Sequence, residues 1–506
     1  MNWQAIFDQA RSDFIFVFPE AMLVFFGLAI LLTDFLLGKA QKSWNAYTGL
    51  GGVLFSGASL YLIRAPAREH LSAFDGAIVI DPFFIFFGLI FLAATALVLL
   101  LSIRYLDAVQ EQRGEYYALA LFATAAMLLL ACGNDLAVLF LALETMSISF
   151  YVLTGFLVKQ QRSNEAAIKY MLMGAFSSGV LAYGFSILYG LAGSTNLVVI
   201  QQRIADRAAQ FPHADLLAFL ALSAVAAGLF FKVAAVPFHQ WAPDVYEGAP
   251  TTITAYISVA SKAAAFALLL RLFLTVFWPV RVDWTAIFAA VAVLSMTVGT
   301  LAALTQQNIK RLLAYSSIAQ IGYMLLGLVA SVAKDGSLNQ AGLRALAFYI
   351  FTYAFFNMGA FAVVIVLQRR GAIGERIDDL RGLGRARPAA ALLMLVFLLS
   401  LAGIPPTAGF VAKLLIFWAL IETGHPVLAV LGVLYIVPAV YYYFRVVAAM
   451  WAGNNRAAHD AAPIPVLSGA QKFVLGLAAA ITLVAGIFPE QILRLASYGL
   501  KMPLSR

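Results

Sequence analysis

Residues 232–251 read K-V-A-A-V-P-F-H-Q-W-A-P-D-V-Y-E-G-A-P-T, which sets a lysine, a proline and a histidine within one short stretch. Lys232 follows the apolar run 216–231, which has the length and hydropathy of a membrane helix. Pro237 has no amide proton with which to continue that helix, and His239 stands just beyond it. A lysine at mid-membrane costs about 2.5–3.5 kcal/mol on insertion scales, so such residues pair, line water or carry ions. Opened backbone at membrane depth needs protein or water around it, not lipid. The chemistry open to this group is the passage of protons or ions.

Other ionisable residues lie in apolar runs of the same kind. Glu144 stands nine residues into the run 135–158, roughly 13 Å deep at 1.5 Å per residue. Lys169 is four residues after Glu165 and could pair with it locally or snorkel to an interface. Lys262 is ten residues into the run 252–277, with Ser258 one turn before it and Ser261 adjoining. The run 389–422 is too long for one span and is interrupted by G-I-P-P at 403–406, with Lys413 beyond the break. Glu20, Asp34 and Arg445 stand near helix ends and read as interfacial, as do Tyr441, Tyr442 and Tyr443. A lysine and a carboxylate can move protons without a cofactor. Burial disfavours the charged form of either and pairing favours it, so a change in their separation changes who holds the proton. This reading makes Lys232 the switching group, Glu144 its counter-charge, and Lys262 with His239 a hydrated central relay. Lys413 hands the proton toward the far half. The competing reading, that the charges only hold helices together, is disfavoured because apolar residues generally do that as well.

The elements that must position these groups are membrane helices. Of 506 residues, 63% are hydrophobic and 11% charged, against about 25% charged in soluble chains. About fourteen apolar runs, centred near residues 26, 55, 90, 124, 147, 180, 225, 264, 294, 321, 356, 405, 438 and 480, predict an all-α polytopic membrane protein. Ten-residue alternation of the β-barrel kind is missing. The net charge of +8 sits mostly in short loops and calls for no nucleic acid. About 15 Lys and Arg follow the odd-numbered helices and about 11 lie on the other side, which puts both termini outside the cytoplasm. The arginine-rich loop 369–387 dominates that bias. No basic leader precedes the first helix, which is expected to be retained. The first three helices look like a structural flank. A single cysteine, Cys132, excludes an intrachain disulfide, a Cys-ligated cluster and a multi-Cys zinc site. His70, His213, His239, His425 and His459 are scattered, and no dinucleotide or phosphate-loop fingerprint occurs. Redox chemistry within the chain is therefore not expected.

The chain also repeats itself. Residues 139–155 align without gaps against 311–327, with Leu141, Ala142, Tyr151, Leu153 and Gly155 matching Leu313, Ala314, Tyr323, Leu325 and Gly327. The breaks at Val236-Pro237 and Ile404-Pro405 lie at nearly the same offset. Repeats of five helices, an odd number, enter the membrane from opposite sides, so the expected architecture is two inverted five-helix repeats, each with a broken helix. The predicted organisation is a flank at 1–115, a first repeat at 116–280, a second at 281–452 and a last helix with its tail at 453–506. Glu144 aligns with Ser316 and Lys232 with Ser400, so the Glu–Lys pair belongs to the first half alone.

The run 232–251, the G-I-P-P-T-A-G-F-V-A-K run ending at Lys413, and Glu144 resemble the antiporter-like membrane subunits of the respiratory proton-pumping NADH:quinone oxidoreductase, complex I. Related chains serve multisubunit Na⁺/H⁺ antiporters, the alternative assignment. The D-V-Y-E-G-A-P-T run, Lys413 where a sister subunit carries glutamate, and a C-terminus soon after the fourteenth helix favour the branch that neighbours subunits K and M. The resemblance implies a proton-pumping pair, Glu144 and Lys232, with Lys169, Lys262, Lys413 and His239 on a polar axis. It further implies no cofactor in this chain, with FMN, iron–sulfur clusters and quinone in partner subunits and the hydrophilic arm. Lipids surround it, and the composition fits a bacterial cytoplasmic (inner) membrane with periplasmic termini.

Overall fold

The computed structural model describes residues 13–38, 41–65, 67, 70–211, 215–368, 375–453 and 467–500. His213, His459 and residues 369–374 of the arginine-rich loop lie outside the described residues. Among those described, 13 helices are long and apolar enough to cross a membrane. In order, the first six are α1 (Ile15–Leu36), α2 (Trp44–Ile63), α3 (Pro82–Val109), α4 (Gly114–Cys132), α5 (Leu136–Thr154) and α6 (Gln161–Ala192). Next come α7 (Leu216–Val233), α8 (Thr251–Val276), α9 (Trp278–Thr305), α10 (Ile309–Val329) and α11 (Gln340–Leu367). Two shorter helices, α12 (Pro388–Ala402) and α13 (Ala408–Glu422), share one long apolar run, and α14 (Pro426–Trp451) and α15 (Gly469–Ile487) follow. Taking α12 and α13 as a single broken span gives the fourteen expected.

Side-chain caps explain several helix starts, because each satisfies amides that the first turn leaves free. Asp81 accepts from Phe84 N at the start of α3, and Asp135 from Ala137 N at the start of α5 (2.8 Å each). Asn308 and Asn339 do the same for α10 and α11. Three features were not anticipated from the sequence: an antiparallel hairpin of β1 (Leu71–Ala73) and β2 (Ile78–Ile80), a surface helix Leu197–Gln210, and a terminal helix Glu490–Gly499. Both ends of the described chain reach the α2–α3 connection. Asp13 accepts from Phe74 N at one (2.8 Å) and Tyr498 donates to Arg64 O at the other (3.3 Å). They therefore lie on one face.

The helices differ in what surrounds them. α8 is wholly enclosed by the rest of the chain, and α10 and α11 nearly so, whereas α1, α14 and α15 expose most of their length. In α8 the turn Ile257–Ser261 is π-helical and ends at Lys262; such single widened turns favour functional sites. α8 packs on α3, α4, α7 and α11, so the flank of α1–α3 joins the core through α3.

The two breaks share a geometry. α7 ends where Ala234 turns left-handed (φ +62°), and α12 ends where Gly403 does (φ +84°). In each, the next two amides fold back: Ala234 N to Phe231 O and Ala235 N to Phe230 O, Gly403 N to Ser400 O and Ile404 N to Leu399 O. This is the Schellman arrangement of helix ends, and it stops α7 ahead of Pro237. It also corrects the alignment by one residue, since Ala234 matches Gly403 and Pro237 matches Pro406. Lys232 then corresponds to Leu401, not Ser400.

Candidate proton path

Lys232, Lys262 and Lys413 are all buried, and none of them forms an ion pair with a described carboxylate. Each uses a different partner. Lys232, in the last turn of α7, donates to Ser147 Oγ of α5 (2.8 Å) and Ser178 Oγ of α6 (3.2 Å). Glu144 lies three residues before Ser147, on the same face of α5. It is half-buried, its Oε1 has no hydrogen-bond partner, and it acts on Lys232 only through space. Lys262 donates to Ser317 Oγ of α10, which bonds to Tyr353 OH of α11 (2.7 Å). Lys413 donates to the free carbonyls Leu401 O and Ala402 O (3.0 and 3.1 Å) and sits 4.6 Å from the centre of the Tyr323 ring.

Polar groups connect these sites. The Tyr151 ring lies 6.0 Å from Lys232 Nζ and packs edge-on against Tyr170 at 4.8 Å. Tyr170 neighbours Ser261, the residue before Lys262. On α10, Ser316 bonds to Tyr443 OH, and Gln320 donates to Tyr443 OH (3.3 Å) and to Leu401 O (2.8 Å), the carbonyl that Lys413 also uses. Successive residues of α10 thus face Lys262 on one side and the Lys413 cluster on the other. Ser147, Ser178, Ser317, Gln320, Tyr353 and Tyr443 were not singled out from the sequence. Their only signal is a polar side chain in an apolar run, which is common in membrane helices that pack closely.

Two candidates stand apart from this core. His239 is half-buried beyond the first break, between exposed Phe238 and Gln240, and no described hydrogen bond joins it to a lysine of the path. Lys169 is part-exposed and pairs with Glu165 (2.7 Å) and Asp244 (2.9 Å) at the mouth of a cavity of about 180 Å³. Partial burial works against the charge of Asp244, but Lys169 and Arg311 hold its carboxyl below the usual carboxylate range.

Four residues read as interfacial behave differently. Glu20 is buried, with Cys132 Sγ 3.8 Å from its Oε1. Tyr442 and Tyr443 are buried and only Tyr441 is exposed, because α14 turns the first two toward α10. Arg445 donates to Leu304 O (2.7 Å) and Gln306 O, which closes the free carbonyls at the end of α9. Asp34 does stay in a connection, paired with Lys42 at 2.8 Å.

Residues 133–437 match the family model described as NADH:quinone oxidoreductase/Mrp antiporter, TM. A protein of Koribacter versatilis named NADH-quinone oxidoreductase subunit N 1 is 50% identical over 500 residues, covering 97% of this chain and 96% of that one. One of Solibacter usitatus, named NADH-quinone oxidoreductase subunit N 2, is 49% identical and covers 97% and 98%. A chain in the structure of respiratory complex I from Thermus thermophilus with bound aureothin superposes with a TM-score of 0.76 at 32% identity, covering 95% of this chain and 99% of that one. With its broken helices and buried lysines placed as described, the chain belongs to the antiporter-like membrane subunits of NADH:quinone oxidoreductase, in the subunit N branch.

Proposed function

We propose that this chain moves protons across the membrane along Lys232, Lys262 and Lys413, driven by quinone reduction elsewhere in an NADH:quinone oxidoreductase. The observation that carries the reading is that three enclosed lysines have hydroxyls, rings and free carbonyls for partners and no carboxylate in contact. A structural ion pair would have its counter-charge against it. A group that must take up and release a proton is better served by partners that bond without fixing its charge.

In this reading Glu144 is the counter-charge that approaches and leaves Lys232. Its free Oε1 and its position one turn from Ser147 support that role. When Glu144 is near, Lys232 keeps its proton; when it withdraws, the proton passes by way of Tyr151, Tyr170 and Ser261 to Lys262. From there Ser317, Tyr353, Gln320 and Tyr443 lead to Lys413. Lys169 belongs to the aqueous mouth, and His239 to the rim of the first break.

The finer assignments follow from family membership. Subunits K and M are the neighbours, and FMN, iron–sulfur clusters and quinone reside in partner subunits and the hydrophilic arm. The membrane is the bacterial inner membrane with both termini periplasmic, which the shared face of the two chain ends supports. The 1–115 flank, the repeats 116–280 and 281–452 and the 453–506 tail are kept as the division, and the paired Schellman ends at Ala234 and Gly403 support two related halves. The test is Lys232→Ala in the assembled complex, with NADH oxidation and proton pumping followed together. Pumping lower by roughly tenfold or more supports the assignment; wild-type pumping by an assembled complex overturns it.

A further inference from the structure

Between the first break and α8 lies a short helix, Trp241–Gly248, which we call the bridging helix. Each turn of it touches a different part of the path. Trp241 Nε1 donates to Phe231 O (2.9 Å), the carbonyl just before Lys232, and its ring stacks on Tyr170 at 4.6 Å and 11°. Tyr246 is buried with its ring 5.6 Å from Lys262 Nζ, and its hydroxyl, without a hydrogen bond of its own, lies beside Ser317. One rigid turn and a half therefore connects the surroundings of Lys232 to those of Lys262.

The same helix is gripped from both halves of the chain. Asp244 stands between Lys169 of α6 (2.9 Å) and Arg311 of α10 (2.7 Å). Glu247 pairs with Arg311 (2.9 Å) and, more distantly, with Arg162 of α6 (3.9 Å). Lys310 donates to Glu247 O (2.6 Å) and Ala249 O (3.0 Å) at the C-terminal end and pairs with Glu375 (3.1 Å). Gly248 presses on α6 so closely that a Cβ there would meet Arg162 O at 2.5 Å.

We propose that Asp244 is a positioning residue for proton transfer: by bonding Lys169 and Arg311 at once it sets the bridging helix, and so fixes Trp241 against the Lys232 turn and Tyr246 against Lys262. The inference rests on the lysine path. Paired carboxylates of this kind hold geometry through charge-assisted bonds, and a displacement of about 1 Å at a reacting group costs up to about a hundredfold in rate. The charged groups that face Asp244 are Lys169 and Glu165 of α6, Arg311 of α10 and Glu247 of its own helix, with Arg162 lining the same cavity.

The test uses the full complex in membrane vesicles, with assembly checked by co-purification of NADH-oxidising activity. Asp244→Asn removes both ion pairs while keeping shape. Pumping is expected to fall about tenfold, with its pH optimum displaced by about one unit because the lysine surroundings move. Asp244→Glu should recover most of the rate. In a Lys232→Ala background, Asp244→Asn should have no further effect on pumping. If Asp244→Asn does not assemble, Lys169→Gln, which removes one arm of the grip from a part-exposed position, should displace the optimum in the same direction. An assembled Asp244→Asn complex, or in its place Lys169→Gln, with an undisplaced pH profile overturns the proposal, whether or not the rate falls. If Lys232→Ala and Lys262→Ala themselves leave pumping intact, the lysine path fails and this inference with it.

Discussion

The two broken helices carry a lysine each and treat it in opposite ways. At the first break Lys232 bonds side-chain hydroxyls from two other helices, with the half-buried Glu144 one turn away. At the second, Lys413 bonds two backbone carbonyls that α12 frees where it ends. Hydroxyls rotate, and helices that carry them can slide, so the Lys232 site can exchange partners. Carbonyls at a helix C-terminus are fixed and carry the negative end of the helix dipole, which favours a cation in one place. The breaks also differ in length. The first inserts the charged bridging helix before α8, whereas the second passes within five residues from Gly403 into α13. The comparison teaches that the repeat preserved a fold and divided the labour: a switching site in one half and a receiving site in the other.

The largest expected effect separates the two lysines by stability as well as activity. Lys232→Met and Lys413→Met should both lower pumping by roughly tenfold or more. Only Lys413→Met should also lower the unfolding midpoint of the purified complex. It leaves Ala402 O without a partner, a loss of about 1–3 kcal/mol, while Leu401 O keeps Gln320. Ser147 already donates to Leu143 O, so Lys232→Met orphans little. Equal destabilisation by the two substitutions would remove the distinction.

A second contrast uses the residues that end the helices. Gly403 has φ +84°, and a Cβ there would meet Lys413 Cδ at 2.9 Å. Gly403→Ala should therefore cost about 1–2 kcal/mol in backbone strain and push Lys413 off its carbonyls, with a fall in pumping. The matching Ala234→Gly relieves the same strain (φ +62°) and should raise stability by up to about 1 kcal/mol with pumping retained. Thermal unfolding of the two variants beside wild type checks both signs.

Much of this was legible in the sequence, and the reasons are physical. Charge is so costly in lipid that Lys232, Lys262 and Lys413 stand out against apolar neighbours, and span lengths follow from bilayer thickness. What was not legible depends on tertiary packing. Proline marked both breaks, but which residue turns left-handed is decided by the helix end, and the one-residue slip from Ser400 to Leu401 follows from that. Ser147 and Ser317 look like any membrane serine until a lysine from another helix reaches them. Glu20 and Tyr443 lie within reach of an interface by count, and they are buried because neighbouring helices cover them. Asp244 belonged to a recognisable run, yet only the fold brings Lys169 and Arg311 to it from opposite sides.

Acid should act on the first break before the second. Asp244 is held below its ordinary value by Lys169 and Arg311, so its pairs stabilise the fold fully above the unfolded carboxylate value of about 3.9 and are lost as pH falls through the lower folded value. Between about pH 6 and 8 they should contribute a constant amount. Below about pH 4 the unfolding midpoint should fall in the wild type, and Asp244→Asn should remove this residue's share of that fall. Lys413, bonded to carbonyls, adds no such limb. An acid limb of the same size in both proteins would mean that Asp244 does not hold the bridging helix.

The smallest effect concerns the outer arm of that grip. Lys169 and Asp244 are both part-exposed, with about a third of each side chain in reach of solvent, and pairs of this kind are worth about 0–1 kcal/mol and weaken with salt. Lys169→Gln should thus change the unfolding midpoint little, and less still in high salt. Arg311→Gln removes the partner shared by Asp244 and Glu247, and it should cost more because two carboxylates are left facing each other across the cavity. The ordering matters more than either value. If Lys169→Gln proved the costlier of the two, the bridging helix would be held chiefly by the first half, and the idea that it joins the halves would fail.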